Sequence, residues 1–213
     1  MGRPKEHGYA TATALLDAAE RALREGDLSA LSVRALADEV GTTTRAVYSL
    51  FGSKDGLLVA LGTRAFEMLG DGIRSLPESD DPAADLIKAG AELFRRFTRE
   101  HPVLFRVGVQ GEFVTPELRS RFDAARLDAL EGLTVRMRRL EEASLLQSRT
   151  VAEATHIYHA LCEGLASMDL RFEVPDSQQA RLWHEAFSVL VAGLSQPAPG
   201  LRPPQRRRRP TIR

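Results

Sequence analysis

The sequence predicts an all-α protein: an N-terminal three-helix unit followed by a larger helical bundle, about nine helices in all. Three observations predict it. Apolar residues recur at spacings of three and four through most of the 213 residues. No run of alternating residues is long enough to build a sheet. Turn formers such as Gly26-Asp27 and Gly52-Ser53 separate the periodic stretches, and Pro82, Pro102, Pro116 and Pro175 sit near starts or just past ends, where proline is tolerated.

Taken in order, Tyr9 to Arg24 places Leu16, Ala19 and Leu23 on one face, and Gly26-Asp27 stops it. Ser32 precedes a short segment from Val33 to Glu39, closed by Val40-Gly41, and a second short segment runs from Thr43 to Phe51. Ser53 is an N-cap for a helix reaching about Ser75. The stretch Pro77-Glu78-Ser79-Asp80-Asp81-Pro82 is the clearest linker, with Asp81-Pro82 reading as cap and first turn. Further helices are expected over about 82–100, 102–110, 116–142, 148–172 and 177–195. The domain reading is therefore 1–56 (with 1–8 as a flexible arm), 57–195, and a basic tail at 196–213 with almost nothing to bury.

Bulk properties narrow the function. No run of 18 apolar residues exists, so no membrane span is expected. The start, Met1 to His7, is polar and lacks the apolar core of a leader, and the single cysteine, Cys162, fits a reducing compartment; both favour the cytoplasm. The net charge of zero hides an asymmetry. Arg202 to Arg213 holds six arginines and no acids, which leaves the body at about −6. A neutral total does not exclude nucleic acid, because only the contact face must be positive. There is no glycine-rich phosphate loop, nucleophile elbow or zinc-protease pair, so no enzyme is expected.

The pair of helices at 33–51 is the informative part. A helix-turn-helix needs a small residue where one helix passes close under the other, and Ala37 stands there. Four residues on, the turn needs a residue at ease with positive φ, and Gly41 stands there. Leu36, Val40, Val47 and Leu50 have the spacing to plug the angle. The second helix offers Thr43, Thr44, Arg45, Tyr48 and Ser49 from its outer face, a set of hydroxyls and a guanidinium suited to base edges and phosphates in a major groove. Between Thr42 and Lys54 there are two bases and no acids, although residues 1–56 hold seven bases against eight acids. Charge distribution, not total charge, favours DNA.

The string from Leu31 to Leu58, with its Ala-(x)3-Gly, Tyr-x-x-Phe and Lys-x-x-Leu-Leu elements, resembles the N-terminal domain of the TetR family of repressors over about residues 9–60. The resemblance implies that Ser32 caps the second helix and touches phosphate, and that Arg34 reaches a base or the backbone. It implies that Thr44, Arg45 and Ala46 open the recognition helix, while Tyr48 and Lys54 hold phosphates. Leu50 departs from the histidine often found there. Arg45 replaces a frequently small residue and either reads a guanine or contacts phosphate alone. Arg3 and Lys5 beside Pro4 suit a minor-groove arm or a solvated end.

In the second half, Val151, Ala154, Tyr158, Leu161, Leu165, Met168 and Phe172 form a 3,4 seam that packs along another helix, either a partner's or the chain's own. The resemblance implies a homodimer through about 148–172 and 177–195, placing two recognition helices on one palindrome. It also implies a pocket for a small apolar effector, with Phe94, Phe97, Phe105, Phe113, Leu133, Met137 and His159 as candidate walls; in a plain bundle the apolar ones are core. His156, His159 and Glu163 share a helix face beside Cys162, readable as a metal cluster or as a polar face; no metal site and no cofactor beyond an effector is expected. Two functions compete. One is a ligand-responsive repressor released from a palindromic operator by its effector. The alternative is a metal- or small-molecule-sensing module with weak or vestigial DNA binding. Arg206 to Arg209 adds phosphate affinity or is a solvated tail.

Overall fold

The computed structural model describes residues 3–25, 31–112, 114–172 and 174–197, with the backbone alone for 3–7 and 25. Every regular element among the described residues is helical. α1 spans Arg3–Glu25, α2 Val33–Val40, α3 Thr44–Phe51 and α4 Lys54–Ser75. α5 (Pro82–Lys88), a π-helical stretch (Ala89–Phe94, π1) and α6 (Arg95–Glu100) follow one another without a break. α7 (Pro102–Leu104) then runs into a second π-helical stretch (Phe105–Val109, π2). α8 (Pro116–Ser120), α9 (Asp123–Glu142), α10 (Val151–Asp169) and α11 (Asp176–Leu194) complete the chain.

Local chemistry sets these boundaries. Ser32, Thr43, Ser53, Asp81, Thr115 and Thr150 each accept a backbone N–H of the turn they precede. Thr150 and Glu153 form a reciprocal capping box. The stretch at 77–82, expected as a linker, is pinned. Asp85 accepts from the Ser79 amide (2.9 Å) and hydroxyl (2.7 Å), and Arg139 of α9 pairs with Asp85 and donates to the Ser79 carbonyl.

Three expectations change. The helix begins at Arg3, so residues 3–8, expected as an arm, are helical. The boundary at residue 56 falls inside α4, a single rod shared by both units. The helix expected over 116–142 is two, because Phe122 leaves helical geometry (φ −116°, ψ 12°) to bury its ring against Phe66 of α4, 6.0 Å away. The arginine cluster at 206–209 lies outside the described residues.

The core runs through both units: Leu15, Leu23 and Leu36 of the first join Leu57, Leu61, Phe105, Trp183 and Phe187 of the second in one apolar cluster. The 151–172 seam packs mainly inward. Ala154, Tyr158 and Leu165 are buried in the chain's own core, while Met168 and Phe172 are exposed. Met168 is exposed together with Ile157 of α10 and Leu182 and Val189 of α11, a set of open apolar side chains. No described helix is long and apolar enough to cross a membrane.

Candidate DNA-reading and effector-binding sites

The turn between α2 and α3 is built by backbone chemistry. Gly41 takes φ 71°, ψ 34°, the left-handed region that costs a side chain energy. In that conformation its N–H reaches the Asp38 carbonyl (3.3 Å) and the Thr42 N–H reaches the Ala37 carbonyl (2.8 Å), the paired closure of a Schellman motif. Ala37 is buried beneath α3, and Leu36, Val40 and Val47 fill the angle. Leu50 does not. It is 40% exposed, and Phe51 packs inward instead. Gly56 fixes the other end of α3: a Cβ there would lie 1.8 Å from the Phe51 carbonyl oxygen, so only glycine lets α4 approach so closely.

This frame turns Thr44, Arg45, Tyr48 and Ser49 outward together, because positions i, i+1, i+4 and i+5 share one helix face. Tyr48 is 52% exposed. Thr43 is exposed, but its hydroxyl is engaged as the N-cap on the Ala46 amide (3.1 Å). Ser32 likewise caps Ala35 (3.4 Å) and stays exposed, as does Arg34. Lys54 is half-buried at the start of α4. Part of the charge in residues 1–56 is paired off away from α3. Asp17 pairs with Arg64 (2.6 Å), Glu39 with Arg21 (2.8 Å), and Glu20 with His101 (3.0 Å) and Arg24 (3.6 Å). Three acids are thereby spent on cations outside α3.

The second site lies between α4, π1, α9 and α10. An inner cavity of about 60 Å³ is walled by Phe66, Ile73, Leu93, Phe94, Leu133 and Tyr158. An outer groove of about 780 Å³ carries Arg119, Arg126, Arg138, Thr155 and His156. Phe66, Leu130 and His159 border both, so the two adjoin. Of the residues expected to form the pocket, Phe94, Leu133 and His159 line the inner cavity. Phe97, Phe105 and Met137 are buried in the adjoining core without reaching its wall, and Phe113 lies outside the described residues. The α4 wall, Phe66, Leu69 and Ile73, is an addition to the expected set; its i, i+3, i+7 spacing is the sole signal in the sequence, and core residues carry the same one.

Burial dominates the electrostatics here. It pushes the His159 pKa below its ordinary value, so the ring is neutral at neutral pH, although Glu163 at 3.2 Å opposes the shift. It raises the Tyr158 hydroxyl and the Cys162 thiol well above theirs, leaving both protonated. The Tyr158 hydroxyl donates to the Leu86 carbonyl (2.8 Å). His159 pairs with Glu163 while His156 is exposed, and among the described residues no three His, Cys, Asp or Glu side chains gather as metal ligands.

Comparison with known proteins agrees with this geometry. Residues 15–61 match the family described as bacterial regulatory proteins, tetR family. A TetR family transcriptional regulator, PfmR, from Thermus thermophilus is similar over 83% of this chain and 96% of its own, at 25% identity and TM-score 0.64. The transcriptional regulator FadR from Bacillus subtilis, in complex with stearoyl-CoA, shares the fold over 85% of this chain and 98% of its own, at 15% identity and TM-score 0.72. AibR, in complex with isovaleryl coenzyme A and operator DNA, does so over 84% and 98%, at 16% identity and TM-score 0.61. No curated protein sequence matches the chain. The matched signature lies on the very helices that present Thr44, Arg45 and Tyr48, so residues 15–61 carry the signature of the tetR family of bacterial regulatory proteins, and the chain as a whole is similar in fold to a TetR family transcriptional regulator.

Proposed function

We propose that the chain is a homodimeric, cytoplasmic repressor that binds a palindromic operator and is released when a small effector enters the α4/α9/α10 site. The observation that carries this reading is the outward face of α3, rigidly framed by Gly41 and Gly56 and clear of acids. In it, α3 enters the major groove, Thr44, Arg45 and Ser49 reach base edges, and Tyr48, Arg34, Ser32 and Lys54 hold phosphates. Thr43 contributes through its cap on the Ala46 amide. The open apolar side chains of Ile157, Met168, Leu182 and Val189 support pairing through α10 and α11.

Effector action is a population shift: a ligand that prefers one spacing of the two reading heads depletes the DNA-competent one. Support for an effector site comes from the bordering cavities and from the fold neighbours that hold acyl-CoA. The test is the double substitution Arg45→Ala and Tyr48→Ala. Both side chains are exposed, so melting temperature and dimer mass should stay unchanged, while affinity for the operator should fall about 100-fold or more. Undiminished affinity would remove α3 from the groove.

A further inference from the structure

The two compartments of the effector site differ in chemistry, and the difference points to a ligand class. Apart from His159, which borders both, the inner cavity has no polar group to offer. The Tyr158 hydroxyl is spent on the Leu86 carbonyl, and burial keeps the Cys162 thiol protonated. Its end wall does not retreat cheaply: the Phe94 ring packs edge-on against Phe105 (6.2 Å, 88°) and lies 6.4 Å from Trp183. A cavity of about 60 Å³, at roughly 10–15 Å³ per water-sized occupant, holds about four to six heavy atoms.

The outer groove is polar and positive. Arg126 uses its Nε on Asp123 (2.9 Å) and Arg138 one terminal nitrogen on Glu131 (2.8 Å), so each fork keeps donors for another acceptor. With Arg119, three guanidinium groups line the groove against two carboxylates, Asp123 and Glu163. Thr155 supplies an independent sign of a missing partner. Only 8% exposed, it lines the groove with its hydroxyl buried and without a hydrogen bond, an arrangement that folded proteins rarely leave unanswered.

We propose that the effector is an amphipathic anion: an apolar chain of about four to six carbons in the inner cavity, a hydrogen-bonding group at Thr155, and an acidic head held by one of the groove's guanidinium groups, Arg126 or Arg138, which stand about 18 Å apart along α9. This rests on the reading of the α4/α9/α10 site as the effector site. The head is a carboxylate or the phosphates of a coenzyme A thioester; the two share the chemistry that a guanidinium fork recognises.

Calorimetry on the ligand-free, full-length dimer tests it with hexanoate, hexanoyl-CoA, stearoyl-CoA, hexanol and free coenzyme A. At least one hexanoyl probe should bind about tenfold or more tightly than hexanol and free coenzyme A, and the better of the two identifies the head. Stearoyl-CoA should bind about tenfold more weakly than hexanoyl-CoA. The double variant Arg126→Gln and Arg138→Gln, at one half-buried and one exposed position, should lose about tenfold or more for the anionic probe and nothing for hexanol. Thr155→Val, nearly isosteric, should lose several-fold for the same probe. Hexanol binding as tightly as the anions, stearoyl-CoA binding more tightly than hexanoyl-CoA, or an undiminished double variant each overturns the proposal. Operator binding without any probe is measured in parallel. Intact DNA recognition with no probe bound sinks this ligand class alone, whereas absent DNA recognition sinks the regulator reading and leaves the calorimetry to judge the site.

Discussion

Asp85 is a carboxylate almost sealed from solvent that nonetheless stays ionised. Burial alone would raise its pKa, but the Ser79 amide, the Arg139 guanidinium and the Ser79 hydroxyl all donate to the charged form, and the net direction is down. A carboxyl depressed on folding contributes stability that is present above the unfolded Asp value, about 3.9, and is lost as pH falls through the folded one. Asp85→Asn should therefore lower unfolding free energy at pH 7 by about 1–3 kcal/mol. Denaturant titrations of both proteins at falling pH should show the gap closing below the ordinary carboxylate range. A gap that persists undiminished in acid would mean that the staple acts through packing alone. Arg45 works by the opposite logic: its value lies in standing outward from α3, exposed and available to a partner outside the chain.

Among elements, α1 joins the helix-turn-helix to the larger bundle. Glu20, 6% exposed, faces His101 at 3.0 Å, and Arg24 donates to the Glu100 carbonyl at 3.0 Å. His101 lies 5.9 Å from the ring of Phe97, and Phe97 lies 6.3 Å from Phe94, which walls the inner cavity. Movement at the cavity wall thus has a packed route to α1. Glu20→Gln keeps the volume and removes the charge. In this variant effector binding should persist while the factor by which effector weakens operator binding falls several-fold, read by DNA titrations with and without effector. An unchanged factor would take the contact out of the coupling. Legibility in sequence divides along the same line. The α2–α3 turn is readable because Ala37 and Gly41 are demanded by local geometry. The π-helical stretches at Ala89–Phe94 and Phe105–Val109 are not, since apolar spacing does not reveal a one-residue change of ring size. The 151–172 spacing announces a seam, but only tertiary packing decides that Tyr158 and Leu165 turn inward while Ile157 faces out. Phe66, Leu69 and Ile73 cannot be told from ordinary core, because a cavity is the absence of a neighbour.

For the molecule as a whole, the account requires two copies of one rigid reading head on a frame that the effector biases. α4 enters both halves and Gly56 holds it close against the end of α3, so in the proposed mechanism a shift in the bundle carries α3 with it. The direct measurement is selection of bound duplexes from a random DNA library at physiological salt, followed by titration of the winner against a scrambled duplex. A homodimeric operator-binding regulator should select an inverted repeat with half-sites about one helical turn apart or a multiple of it, bound about 1,000-fold or more above the scrambled sequence. Recovery of no motif, or of a lone half-site bound as tightly as its repeat, would contradict that reading.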